Sequence, residues 1–156
     1  MNSYELEGGD SMFSKIVVPL DGSSRAEKIL ERVEQLGRIQ GGEIQLLRVA
    51  FFSSLPGLDA EEYELKVVRA AEEYLDTISA DLEGKGLKVS THVRYGDAAE
   101  EILAHADKYG SIIVMTTHGG GGLTRWAMGS VADKVIRRSA KPVLLIRTVK
   151  TPRERN

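Results

Sequence analysis

The chain has 156 residues, 42% hydrophobic and 28% charged, with a formal net charge of −2 and both signs mixed along its length. That composition suits one globular domain with a sizeable core, and it gives no general electrostatic footing for nucleic acid or an anionic membrane surface. There are no cysteines, which excludes disulfides, thiolate catalysis and cysteine-based metal sites.

Residues 1–11 are polar, acidic and glycine-containing, without the basic and apolar regions of a signal peptide. They are expected to form a flexible leader, with Met12 a candidate natural start, and the cytoplasm is the expected compartment. No apolar run approaches the ~20 residues of a membrane span. Lys15 to Leu20 is a β-branched apolar run, read as a first strand. Its apolar residues are consecutive, as in a parallel strand covered on both faces. Asp21-Gly22-Ser23-Ser24 turns the chain, and either serine can cap a helix carrying Ala26, Ile29, Leu30, Val33 and Leu36. Gly41-Gly42 stops that helix. Ile44 to Val49 reads as a second strand, and 51–58, with Pro56-Gly57, as a loop.

A long helix is expected over 60–83, with Leu65, Val68, Ala71, Leu75, Ile78 and Leu82 on one stripe and Gly84 and Gly86 at its end. Leu87 to Arg94 alternates as a third strand, and Asp97 is placed to cap a helix running to about Lys108. Ser111 to Met115 forms a fourth strand, Ser130 to Arg138 a helix, and Val143 to Arg147 a fifth strand. Residues 149–156 are charged and expected to be a flexible tail. Strands alternating with helices predict an α/β fold with a parallel sheet and helices on both faces.

The segment between the fourth strand and the last helix carries the chemistry. Thr117-His118-Gly119-Gly120-Gly121-Gly122-Leu123-Thr124-Arg125-Trp126-Ala127-Met128-Gly129-Ser130 follows the apolar run Ile112 to Met115 and precedes an amphipathic helix. A buried strand, a glycine loop and a helix start in that order gather backbone N–H groups around an anion, usually a phosphate. Glycine tolerates positive φ and lets a ligand approach the backbone closely. Ser130 falls where an N-cap would sit. A run of glycines is also compatible with a plain flexible connection.

Gly119, then nine residues, then Gly129-Ser130, then a helix and the strand Pro142-Val143-Leu144-Leu145-Ile146, resembles the nucleotide-binding signature of the universal stress protein family. Ile16-Val17-Val18-Pro19-Leu20-Asp21-Gly22-Ser23 resembles that family's opening strand, and the likeness runs from about Met12 to Arg147. The resemblance implies a single family domain over 12–148. It also implies an open five-stranded sheet of order 3-2-1-4-5, Rossmann-like and of the adenine nucleotide alpha hydrolase type. That order places a topological switch point between strands one and four, beyond whose carboxyl ends ligands bind.

The resemblance further implies an adenine-nucleotide site. Gly119, Gly129, Ser130 and Val131 would offer backbone amides to phosphates, with the Ser130 hydroxyl beside them. Asp21, after Pro19 and Leu20, would meet the nucleoside end; its alternative is an Asx turn or helix cap. Val49 and Met115 match adenine-side positions, and are otherwise core residues. Thr116 stands where the family motif has an earlier glycine; its hydroxyl can bond a ribose or phosphate, but its branched Cβ prevents close backbone approach. His118 is included in the expected cofactor-binding set. As a catalytic base it competes with the commoner role of an orienting or surface group. Arg125 and Trp126 are read as covering the loop or packing beneath it, and Lys134, Arg137 and Arg138 as a solvated helix face.

His92 and His105 lie on other elements and make no metal-ligand spacing with His118. No Gly-x-x-x-x-Gly-Lys-[Ser/Thr] loop is present, and no recognisable Ser/His/Asp set. The expectation is therefore an ATP-binding regulator or sensor in stress response, with Mg²⁺ or Mn²⁺ on the phosphates and turnover slow or absent. A homodimer through strand 142–147 is expected, without nucleic acid or membrane partners. The rival readings are a non-nucleotide-binding member working through protein contacts, for which Thr116 speaks, and a slow ATPase or adenylyl-transfer enzyme.

Overall fold

A computed structural model describes residues 12–51, 59–110, 112–118 and 128–147, with Gln40 described only in its backbone. The expected leader and tail, most of the loop at 51–58, and Gly119 to Ala127 lie outside the described residues. The chain runs β1 (Lys15–Pro19), α1 (Ser24–Glu27), α2 (Leu30–Gln40), β2 (Glu43–Ala50), α3 (Ala60–Gly84), β3 (Lys88–Tyr95), α4 (Ala98–Tyr109), β4 (Ile112–Thr116), α5 (Ser130–Arg138) and β5 (Val143–Ile146). Every expected strand is present, displaced by a residue or so at its ends.

The expected first helix is two helices. Ser23 caps α1, its Oγ accepting from the Ala26 N–H at 3.1 Å. At the break, the Ile29 N–H bonds Ala26 O, three residues back, and the Arg32 N–H bonds Ile29 O. This is a 3₁₀-type tightening. The apolar stripe keeps its phase through the break, because Ile29 and Val33 are both fully buried. Periodicity alone therefore reads one helix. Gly41 ends α2 in the left-handed region at φ 62°, as a C-cap glycine does. Asp97 caps α4 as expected, its Oδ1 accepting from the Ala99 and Glu100 N–H groups, both at 3.1 Å. Asp59 does the same for α3, a cap the sequence reading did not name.

The strands form one sheet of order β3-β2-β1-β4-β5, parallel throughout. The chain winds outward from β1 to β3, then returns to the centre at β4 and winds the other way. That reversal puts α1, α2 and α3 on one face and α4 and α5 on the other. On the first face, Ala26, Ile29, Val33, Leu75 and Leu82 pack on Ile16, Val18, Ile44 and Leu46. On the second, Ala99, Ile102, Ala106, Ala132 and Val135 pack on Val17, Leu47, Ile113 and Met115.

The second face also holds a polar cluster at its β3 end. His105 of α4 is 1% exposed, and its ring centroid lies 4.6 Å from that of His92. Gln45 Nε2 donates to Tyr109 O at 3.4 Å, which leaves Gln45 Oε1 as the acceptor for His105 Nε2 at 3.1 Å. That network puts the proton on His105 Nε2 and leaves its Nδ1 bare, buried and without a hydrogen-bond partner. His92 Nε2 meets Ser90 Oγ at 3.1 Å, and Ser90 donates to Glu43 at 2.6 Å. Burial, reinforced by His92 and Arg94, pushes His105 down to about 4; burial also lowers His92.

Candidate functional site

Parallel strands bring all their carboxyl ends to one edge of the sheet, and there β1 and β4 part. β1 pairs with β2 as far as Pro19, opposite Leu47, while its pairing with β4 stops at Val17 and Ile113. Proline supplies a local cause. Successive amides of a strand point to opposite neighbours. The Leu20 N–H bonds Leu47 O on β2 at 2.9 Å, so the nitrogen at position 19 faces β4. Pro19 has no N–H to offer there. The central ladder opens at the switch point, the place where open α/β sheets take their ligands, and this opening is the candidate crevice.

The rim of the crevice is built from three segments. The first is the turn after β1. Asp21 Oδ1 accepts from the Ser23 N–H at 2.9 Å and from Ser23 Oγ at 2.5 Å, and Ser23 in turn caps α1. The Asx turn is thus present, and Asp21 is exposed at the edge. The second is the end of β2. Val49, half-buried on the α4–α5 face, lies two residues past the partner of Pro19, at the level of Asp21.

The third is the end of β4 and the start of α5. Met115 is buried in the second core. Thr116 is 8% exposed, and its hydroxyl donates to His118 O at 2.9 Å. That proton is committed to shaping the loop. His118 Nδ1 lies 3.0 Å from Thr117 Oγ1. The Thr117 N–H bonds Ile146 O, and the Thr117 carbonyl receives the Gly129 N–H at 2.8 Å. This last bond staples the start of α5 to the end of β4.

Two expectations change here. The N-cap of α5 is Gly129, at φ −60° and ψ 148°, and Ser130 is the first helical residue. Gly129 O accepts the first helical bond, from Asp133 N, so the cap falls one residue earlier than the serine suggested. The Gly129 amide is also occupied by Thr117 O. The amides at the mouth of α5 are those of Ser130, Val131 and Ala132, in the first turn, where no intrahelical acceptor exists, and the N-cap glycine has no side chain with which to cap them. Gly129 leaves room for the staple: a Cβ there would stand 3.3 Å from Thr117 O.

Gly119 lies outside the described residues, as do Gly120 to Gly122, Arg125 and Trp126. Lys134, Arg137 and Arg138 are exposed and ion-paired, with Asp97, Asp133 and Glu100 respectively. Among the described residues, no group of three or more His, Asp or Glu could hold a metal. Among the described residues, no helix is long and apolar enough to cross a membrane.

The sequence reading passed over Arg48, whose guanidinium reaches the crevice turn: Nη1 donates to Leu20 O at 3.3 Å. The available signal was an arginine inside the apolar run Leu46-Leu47-Arg48-Val49.

The comparisons agree with this architecture. The sequence model of the universal stress protein family matches residues 12–147. The chain is 33% identical to the universal stress protein MJ0577 of Methanocaldococcus jannaschii, covering 87% of this chain and 96% of that protein. It is 32% identical to YxiE of Bacillus subtilis, covering 87% and 100%. Superposition on a solved structure of MJ0577 gives a TM-score of 0.78 at 31% identity, over 90% of this chain and all of the other. A doubly wound sheet opened at Pro19 and this match along nearly its whole length lead to one conclusion: the chain belongs to the universal stress protein family.

Proposed function

We propose that this protein binds an adenine nucleotide, ATP with Mg²⁺ or Mn²⁺ on its phosphates, in the crevice between β1 and β4. On this reading it acts in the cytoplasm as a nucleotide-dependent regulator or sensor in stress response, with little or no turnover. The carrying observation is the opened β1–β4 ladder with the start of α5, whose N-cap is a glycine, stapled beside it. First-turn amides without an intrahelical acceptor and the positive end of a helix favour a phosphate. The nucleoside end would lie toward Pro19, Leu20, Asp21, Val49 and Met115. The phosphates would lie toward Thr116, His118, Gly119, Ser130 and Val131, with Gly129 holding the staple. A universal stress protein from Archaeoglobus fulgidus was solved in complex with dAMP; it shares this fold, with a TM-score of 0.62 at 24% identity over 87% of this chain and 99% of that one.

The test is isothermal calorimetry with ATP on the wild type and on Gly129→Val. The variant crowds Thr117 O and should lose nearly all affinity while its thermal transition stays cooperative. Unchanged affinity in the variant, or no heat with the wild type, would refute the site. The second outcome would favour the rival reading, a member working through protein contacts. Thr116 is the observation behind that rival, since it replaces a motif glycine and its hydroxyl is already bound to His118 O.

We also propose a homodimer through β5. The strand is a sheet edge, and Leu144 on it and Ile136 on α5 are 36% and 40% exposed. An apolar edge invites pairing, and a two-fold axis closes it. Sedimentation at tens of micromolar should give a dimer, whereas a monomer throughout that range would remove this surface from the reading.

A further inference from the structure

We propose that Arg48 is a positioning residue for the nucleoside end of the crevice, acting through the Leu20–Gly22 turn; this rests on the nucleotide reading above. β2 alternates its side chains, with Leu47 and Val49 toward α4 and α5 and Leu46 toward α1, α2 and α3. Arg48 therefore leaves the sheet on the α1–α3 face, at the level where β1 ends. There it makes three contacts. Its Nη1 donates to Leu20 O at 3.3 Å. Its guanidinium lies flat against Gly22, where a Cβ would stand 3.3 Å from Nη2 and 3.4 Å from Cζ and Nη1. Its Cζ sits 5.8 Å from the Tyr74 ring centroid on α3, within cation–π range.

These contacts account for the geometry of the turn. β2 holds the Leu20 N–H through the ladder and the Leu20 carbonyl through Arg48, so both peptide groups flanking Leu20 are fixed by one strand. The next residue is Asp21. Gly22 follows at φ +81°, a conformation costly for residues with a Cβ, and its bare Cα is the surface on which the guanidinium rests. A planar cation supplies a directional N–H and a flat contact at once. A half-buried carbonyl without this donor would be left short of a partner, and the turn would relax, carrying the Asp21 carboxylate with it. The α5 mouth lies on the other face of the sheet, so the phosphate end should not register the change.

That separation defines the experiment. Affinities for ATP, adenosine and inorganic tripolyphosphate are measured on the wild type, Arg48→Met, Arg48→Lys and Gly22→Ala, with amide hydrogen exchange at Ser23 alongside. Arg48→Met should weaken ATP and adenosine about tenfold each and leave tripolyphosphate within about twofold, with faster exchange at Ser23. Arg48→Lys restores one donor and should recover part of the loss. Gly22→Ala, which displaces the guanidinium and strains the turn, should reproduce the Arg48→Met pattern even if Arg48→Met itself fails to fold. Equal losses for tripolyphosphate and adenosine would mean a general disturbance and overturn the proposal. So would wild-type affinities in the Arg48 and Gly22 variants. A wild type that binds tripolyphosphate but neither ATP nor adenosine would overturn the nucleoside reading itself, a result distinct from the other two.

Discussion

The two faces of the sheet are built by different rules. Under α1, α2 and α3 the core cluster from Ile16 to Leu82 is apolar, the Tyr74 ring packs against it, and Arg48 at its rim is tied to a backbone carbonyl. Under α4 and α5 an apolar core of similar kind gives way, toward β3, to the His92–His105–Gln45–Ser90–Glu43 network. The first face is held by burial, which hardly depends on pH. The second is held partly by two imidazoles that must stay neutral. The crevice is assembled from both, taking its turn from the first and its helix mouth from the second.

The largest effect should come from the dry face. Leu75 is fully buried there, and Leu75→Ala should cost about 3–4 kcal/mol of unfolding free energy. Measured by urea denaturation, the loss should be the same at pH 7 and at pH 4.5, since no titrating group joins it. A loss that grows in acid would blur the distinction between the faces.

The next effect belongs to the polar face. His105 falls from 6.5 unfolded to about 4 folded. A histidine depressed in this way binds its proton more readily in the unfolded chain. Its contribution is complete above pH 6.5 and is lost as pH falls from there to about 4. With each pKa unit equivalent to about 1.4 kcal/mol, the loss reaches about 3 kcal/mol at most. The proton would arrive at Nδ1, which has no acceptor, with His92 and the Arg94 cation nearby and Glu43 joined to His92, not to His105, through Ser90. Arg94 itself pairs with Glu101, and Lys108 lies over the Tyr109 ring on the same helix. His105→Gln should flatten the pH dependence of urea midpoints between pH 7 and 4.5, leaving the smaller part due to His92. Parallel slopes for wild type and variant would place acid sensitivity elsewhere.

The sequence carried the elements well, because consecutive apolar residues and helical stripes are local signals. Asp97 and Gly41 were legible for the same reason: a cap is a statement about three or four neighbouring residues. The α1–α2 break was not, because Ile29 and Val33 stay in phase across a change from four-residue to three-residue hydrogen bonding. The α5 cap was misplaced by one residue, since serine is the better cap by type and only the Thr117 staple makes Gly129 the cap in place. Arg48 and the histidine pair were hidden for a different reason. Leu20 and Arg48 meet across a strand pairing, and His92 and His105 meet across a crossover. Neither meeting leaves a spacing to read. The crevice residues were named through family resemblance, while the opening at Pro19 emerged only when the register was known.

The strand register also sets an order of assembly during synthesis. Ile16 pairs with Ile44 after 28 intervening steps of chain, but with Ile112 only after 96. β1, β2 and β3 can therefore pair as soon as residue 95 is out, while the other edge of β1, bearing three fully buried residues, waits for β4. At roughly 5–20 residues per second, that wait lasts on the order of seconds. For that interval the nascent chain presents one open edge of an apolar strand that the finished protein places at its centre. The same proline that keeps the mature crevice open also shortens that exposed ladder, withholding one donor from any other chain that might dock there first.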